Sequence, residues 1–225
     1  MKLAFLTLLL VSASAAPAAD DQLAAAFQVA FGKGGAVVLK RQGEMKENVR
    51  YTPGDLVNAP FGTVLLSPGE VVSPAHASSG KLAAIYLTRT DKGFTVEKKF
   101  VPATETGSFG KIGEWSVSKS FGELPVVSVE GGGTWQGCTV SVTTLLELTP
   151  DGPKQLASVP MTYDNSGAVT DGNKPTRISG RIEKIVPGKS FDVVYFGSKD
   201  FTEKYVRKGD TYVLASDGES RMQTC

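Results

Sequence analysis

His76 is the only histidine of the chain, and Cys138 and Cys225 are its only cysteines. A thiol nucleophile needs a general base, and the imidazole of histidine is a common one. Cys138 stands in the segment EGGGTWQGCTVSV, beside three consecutive glycines whose backbone amides are candidates for an oxyanion hole. One hypothesis is therefore a hydrolase that uses Cys138 as nucleophile and His76 as base.

A disulfide between Cys138 and Cys225 is the alternative that the sequence favours. The cysteine count is even, and the N-terminus predicts export into oxidising surroundings, where disulfides persist. The bond would close a loop of about 88 residues, for which the chain-entropy model gives roughly 4–5 kcal/mol of stabilisation. It would also tie down the polar segment SDGESRMQTC, which has few apolar side chains for burial.

Paired carboxylates provide a second route to catalysis, since two of them suffice for glycoside hydrolysis. Four acidic side chains are candidates, and nothing in the sequence selects a pair among them: Glu114, Glu130, Glu147 and Asp164. The loop 164–173 concentrates oxygen ligands of the kind that Ca²⁺ prefers, but their spacing matches no EF-hand. A plain polar loop is the favoured interpretation there, and a hydrolase stays the alternative function.

The triple glycine and the tryptophan beside it are the other conspicuous features of this segment. A phosphate-binding P-loop ends in Lys-Ser/Thr and opens a helix, whereas a strand pattern over 139–148 follows Gly131–Gly133. The glycines therefore predict a hairpin tip or a bulge. Trp135 is either a core residue or an exposed, ligand-facing platform, such as one for a sugar ring.

Charge and composition exclude several classes of partner. Of 24 basic and 23 acidic residues, Lys2 lies in the N-terminal leader, so the exported chain is expected to be neutral. A nucleic-acid partner needs a basic patch, and no basic run is longer than Lys98-Lys99. One histidine and two cysteines are too few for the usual zinc sites. We expect no metal and no cofactor, and an unknown protein, small-molecule or glycan ligand.

The N-terminus predicts a secretory signal peptide over residues 1–19. Lys2 gives a positive start, Leu3–Val11 is a short apolar run, and small residues of the A-x-A kind follow. The apolar run is shorter than the ~20 residues that cross a bilayer, and no cysteine follows it for lipid attachment. We expect a soluble exported protein, periplasmic or extracellular, that has no membrane span and is not a lipoprotein.

The elements that must position these residues follow from the periodicity of apolar side chains. The segment DDQLAAAFQVAFGKGG predicts one amphipathic helix, with Leu23, Phe27 and Phe31 on its apolar face. Asp20 or Asp21 is expected to cap its start. Beyond it, Val- and Thr-rich segments alternate with turn residues about every 8–12 positions. The predicted fold is mostly β, an antiparallel sandwich- or barrel-like arrangement with one short N-terminal helix.

Residues 20–225 are expected to form this mostly-β region, either as one domain or as a small N-terminal and a larger C-terminal unit. The flexible segment ATETGSFGKIG places any boundary near 107–111. Proline and glycine also cluster over 52–79, which suggests a long surface excursion or a boundary. Because no catalytic motif is present, a non-enzymatic binding or envelope-associated module is the favoured function, and the oligomeric state stays open.

Overall fold

The computed structural model describes residues 19–170, 173–216 and 218–225. The predicted signal peptide therefore lies outside the described residues, except for Ala19. The fold is mostly β, with antiparallel sheets, a half-barrel curl and one short helix near the N-terminus, so the predicted fold class is confirmed. No described helix is both long and apolar enough to cross a membrane.

The helix α1, Ala19–Phe31, packs its apolar face into the core of the first sheet. Asp20 and Asp21 lie within its first turn rather than at the predicted cap position. Carboxylates in the first turn still favour the positive end of the helix dipole. Gly32 ends the helix with φ +96°, and its amide donates to the Gln28 carbonyl at 2.8 Å.

The first sheet has six antiparallel strands in the order β1–β2–β4–β5–β6, with β3 also paired to β4. Its strands are β1 (Val37–Gln42), β2 (Glu47–Tyr51), β3 (Asp55–Ala59), β4 (Gly62–Val71), β5 (Gly80–Thr90) and β6 (Gly93–Thr106). The surface excursion suggested over 52–79 is wrong for most of that segment, because β3 and β4 lie within it. Val64 and Leu66 of β4 are fully buried, and even Pro68 and Gly69 lie within β4, paired with Leu82 and Lys81 of β5.

The second sheet is an antiparallel meander of eight strands in chain order, from β7 at one edge to β14 at the other. Its strands are β7 (Trp115–Ser118), β8 (Val126–Trp135), β9 (Cys138–Thr149), β10 (Gly152–Asp164), β11 (Arg177–Val186), β12 (Ser190–Gly197), β13 (Phe201–Lys208) and β14 (Thr211–Leu214). The strand predicted over 139–148 is therefore present as β9.

The triple glycine lies inside β8 and pairs with β9 without a register shift, so it forms neither the predicted hairpin tip nor a bulge in that pairing. The tip is Gln136-Gly137, where both residues have positive φ, 49° and 80°. A Cβ on Gly131 would overlap the side chain of Thr106 at the end of β6, and one on Gly133 would overlap the Trp135 indole. Glycine is required because these neighbours occupy the space of a side chain.

Apolar side chains of both sheets share one buried cluster. Leu66 and Leu82 of the first sheet pack in it with Val127 and Leu146 of the second. The chain passes between the sheets through residues 107–114, so the boundary suggested near 107–111 falls in this connection. The division into two units stays a prediction. The opposite face of the second sheet curls around a separate cluster that is rich in tyrosine and phenylalanine.

Candidate ligand-binding site

Three aromatic side chains from separate segments form an exposed group that we call the aromatic stack: Phe109 and His76 lie on loops, and Trp135 lies at the end of β8. The His76 ring centroid lies 4.5 Å from that of Phe109 and 5.4 Å from that of Trp135. Interplanar angles of 19° and 18° make both contacts parallel stacking. Phe109 is 57% exposed and Trp135 is 41% exposed. Trp135 is therefore a surface residue and not part of the core.

Backbone hydrogen bonds hold His76 against the turn that carries Phe109. The Phe109 amide donates to the His76 carbonyl at 3.1 Å, and the Gly110 amide donates to the Ser78 carbonyl at 2.7 Å. Phe109 has φ +50°, a left-handed conformation that costs a non-glycine residue roughly 1–2 kcal/mol. The fold thus keeps a strained residue with an exposed ring on its surface, a combination that is typical of functional sites.

A buried ion cluster lies beneath the loop 72–79 and consists of Lys81, Glu47 and Glu105. The Lys81 ammonium lies 2.6 Å from Glu105 Oε2 and 3.6 Å from Glu47 Oε2, and its side chain is fully buried. The Ser78 hydroxyl donates a short hydrogen bond to Glu47 Oε1 and accepts one from the Ala75 amide at 2.9 Å. This ion cluster therefore ties the loop that carries His76 to β2, β5 and β6.

A cleft of about 350 Å³, which we call the glycine cleft, opens between residues 107–113 and the glycine-rich part of β8. Gly131–Gly133 line one side of it, and Lys111 and Ile112 line the other. The segment that follows β6 does not run beside the edge of β8 here. At Gly131 it crosses over the face of the strand instead. Backbone atoms therefore form much of the wall of this cleft.

A second cleft of about 330 Å³, the carboxylate cleft, shares Glu130 with the glycine cleft. It is also lined by Glu114, Trp115 and Arg181, above the apolar side chain of Ile182. Two of the four carboxylates nominated from the sequence thus come together at one place. Both are exposed, and within the described ranges neither forms an ion pair. Arg181 is engaged instead by Glu183, to which its Nε donates at 2.7 Å.

The other two nominated carboxylates lie outside both clefts. Glu147 pairs with Arg207 at 3.7 Å. Asp164 accepts a hydrogen bond from the Ser166 amide at 2.8 Å and pairs with Arg177 at 3.3 Å. The hydrogen bonds from Ser166, and secondarily the Arg177 charge, lower the pKa of Asp164 below its usual range.

Side-chain oxygens of the loop 164–173 accept hydrogen bonds from backbone amides of the protein itself. Besides Asp164, Asn165 accepts a hydrogen bond from the Thr176 amide at 2.7 Å. Asp171 lies outside the described residues. Among the residues that are described, no three His, Cys, Asp or Glu side chains are grouped to hold a metal ion.

The predicted disulfide is confirmed, since the sulfur atoms of Cys138 and Cys225 lie at bonding distance, 2.02 Å apart. The thiol that a Cys138 nucleophile requires is thus bonded in this structure. The C-terminal segment is also held by burial, against the expectation from its composition. Met222 is 6% exposed, and the Arg221 amide donates to the buried carboxylate of Glu203 at 2.6 Å.

Phe109 is the site residue that sequence reasoning missed, because the segment around it was interpreted only as a flexible connection. The available signal was a lone aromatic residue among glycines and polar residues. Comparisons of the chain with protein-family models, with curated proteins and with solved structures found no match.

Proposed function

We propose that this chain is an exported, non-enzymatic binding module whose ligand docks on the aromatic stack and in the adjoining clefts. The observation that carries the proposal is the exposed aromatic stack itself. Two loops and the end of β8 supply one ring each, and backbone hydrogen bonds, the ion cluster and the disulfide fix these segments. The signal-like N-terminus and the disulfide support export to an oxidising compartment.

Exposed aromatic rings on a fixed scaffold are characteristic of binding surfaces. Isolated surface apolar residues are ordinary, but grouped ones mark contact sites, and tryptophan is enriched among the residues that dominate binding energy. Phe109 and Trp135 each keep about half of their surface in water, so a ligand that covers them gains hydrophobic free energy without rearranging the loops.

The contacts of the nominated catalytic groups favour binding over catalysis. The Cys138 sulfur is bonded to Cys225, and the His76 ring stacks on two aromatic neighbours. A nucleophile–base pair would instead need a free thiol within hydrogen-bonding reach of the imidazole. Ligand recognition uses the same His76 geometry without any proton transfer.

The test compares wild-type protein with Phe109→Ala and Trp135→Ala on arrays of immobilised peptides and glycans. Phe196→Ala is the matched control, because Phe196 is 46% exposed but lies on β12, outside the stack. We expect the ligands that wild type selects to lose about tenfold or more in affinity with either stack variant, since removing an anchor residue costs roughly 2 kcal/mol.

The control variant is expected to keep wild-type affinity, and thermal unfolding should show that all three variants are folded. The proposal would be refuted if Phe196→Ala weakened binding as much as Trp135→Ala. It would also be refuted if the selected ligands bound both stack variants as tightly as wild type.

A hydrolase that uses a carboxylate pair is the second candidate, because Glu114 and Glu130 line the same cleft. Glycoside hydrolysis needs one protonated carboxyl and one carboxylate, a division that burial of one group usually creates. Both groups are exposed here, which disfavours this role. Turnover of chromogenic glycosides that disappears in both Glu114→Gln and Glu130→Gln would establish the hydrolase instead.

A further inference from the structure

On its outer edge, β8 is paired with β7 over only part of its length. β7 pairs with β8 only from Val126 to Val129. Two more hydrogen bonds extend the pairing to Glu130, whose amide donates to the Glu114 carbonyl and whose carbonyl accepts from the Gly113 amide, both at 2.8 Å. β8 continues for five residues beyond this point, to Trp135.

The hairpin geometry determines which backbone groups of that extension point outward. Trp135 and Cys138 close the two-residue turn, so Trp135, Gly133 and Gly131 direct their amides and carbonyls to β9. The alternate residues Gly132 and Thr134 direct theirs to the outer edge, as the two bonds of Glu130 show. Within the part of the chain that the structure describes, these outward groups have no backbone partner.

We propose that the ligand is an extended polypeptide segment that adds as a strand to this edge, pairing with Gly132 and Thr134. The inference rests on the proposed function and specifies its ligand. An added strand bonds to both the amide and the carbonyl of each outward residue, so up to four main-chain hydrogen bonds are on offer. Gly132 has no side chain of its own to shield this edge, and Lys111 and Ile112 lie across the glycine cleft from it.

The charges beside the edge specify one side chain of the segment. Lys111 pairs with Glu70 at 3.3 Å, and Arg181 is held by Glu183, so the cations around the clefts are neutralised. Glu130 and Glu114 are not, in the ranges that the structure describes. The uncompensated charge is therefore negative and fits a lysine or arginine of the ligand.

The aromatic stack specifies a second side chain at the other end of the edge. Trp135 is the next residue after Thr134, and it lies about 16 Å along the strand from Glu130, at 3.3 Å per residue. An apolar or aromatic side chain of the ligand would cover the stack while a basic one reaches Glu130. The expected segment therefore carries an apolar and a basic residue about five positions apart, on opposite faces of the added strand, just as Trp135 and Glu130 lie on opposite faces of β8.

The test measures fluorescence anisotropy with labelled heptapeptides of alternating Thr and Val that carry Phe and Lys five positions apart. Both orders of Phe and Lys are used, one for each strand direction. The protein is the disulfide-bonded chain without its leader. Thr134→Pro removes the outward amide, which a strand edge tolerates, and Thr134→Ala is the matched control that keeps it.

We expect Thr134→Pro to weaken binding about tenfold or more while Thr134→Ala stays within about twofold of wild type. Methylating the peptide amides that face the edge should abolish binding, a result that needs no protein variant. Glu130→Gln should weaken the Lys peptide but not its norleucine counterpart.

Binding that survives amide methylation, equal binding by the two Thr134 variants, or no binding by either heptapeptide would overturn the inference. If glycans bind in a Trp135-dependent way while no peptide does, the proposed function stands and the strand-addition inference fails. If Trp135→Ala affects no ligand on the arrays, the proposed function fails first.

Discussion

Lys81→Met removes the only cation of the buried ion cluster while keeping most of the volume of the side chain. In the wild type the ammonium faces Glu105 at 2.6 Å and Glu47 at 3.6 Å and donates to the Ser79 carbonyl at 2.9 Å. The variant leaves two carboxylates close together, 15% and 22% exposed, without a counterion. The Glu105 charge already affects a neighbouring group in the wild type: after burial, it is the second cause that raises the pKa of Tyr51.

We expect this substitution to lower the free energy of unfolding by about 3 kcal/mol, the lower end of the range for breaking a buried ion pair. The lower end applies because the partly exposed carboxylates regain some hydration. Neutralising all three groups, in Glu47→Gln/Lys81→Met/Glu105→Gln, should restore stability to within about 1–2 kcal/mol of wild type, since no buried charge is then left unpaired.

Urea unfolding at neutral pH with the disulfide intact measures these differences, provided that the slopes agree. Lys98→Met is the matched control, because Lys98 pairs with Asp151 at 3.9 Å on the surface and its loss should cost less than about 1 kcal/mol. A triple variant as unstable as Lys81→Met, or a Lys81→Met effect no larger than that of the control, would refute the role of charge at this site.

Replacing both cysteines by serine should lower the free energy of unfolding by about 4 kcal/mol, because the bond joins residues 87 positions apart; urea midpoints equal to those of the oxidised wild type would contradict this. Gly131→Ala should cost about 2 kcal/mol in thermal unfolding, because its Cβ overlaps the end of β6, whereas Gly122→Ala has open space and should cost little. Asp164→Asn should reduce the loss of unfolding free energy that occurs as the pH is lowered. The pKa of Asp164 is lowered in the folded state, so its stabilisation is present at neutral pH and is lost as the pH falls through that native pKa. The free energies of unfolding of variant and wild type are measured by urea titration at each pH. If they change in parallel down to about pH 3, Asp164 contributes nothing.

Local pattern was enough to predict the helix, most of the strands and the cysteine pairing. Phe27 and Phe31 recur with helical spacing, and the alternation over 139–148 identifies β9 without any knowledge of its neighbours. The disulfide followed from an even cysteine count and a predicted leader. These inferences needed only short segments or the composition of the whole chain.

The site could not be predicted because its parts come from distant segments. Lys81 is the second residue of β5, and its counterions Glu47 and Glu105 lie on two other strands of the sheet. From the sequence, His76 is only a histidine in a loop. Its contact with the turn that carries Phe109 exists only in the folded protein. The free edge at Gly132 depends on where β7 stops pairing, which no local pattern records.

The two tryptophans of the chain lie at the two ends of the surface on which the proposed ligand would dock. Trp115 lines the carboxylate cleft, and Trp135 stacks on the His76 imidazole. In Trp115→Phe, Trp135 is the one remaining indole, so its emission reports directly on any molecule that contacts the aromatic stack.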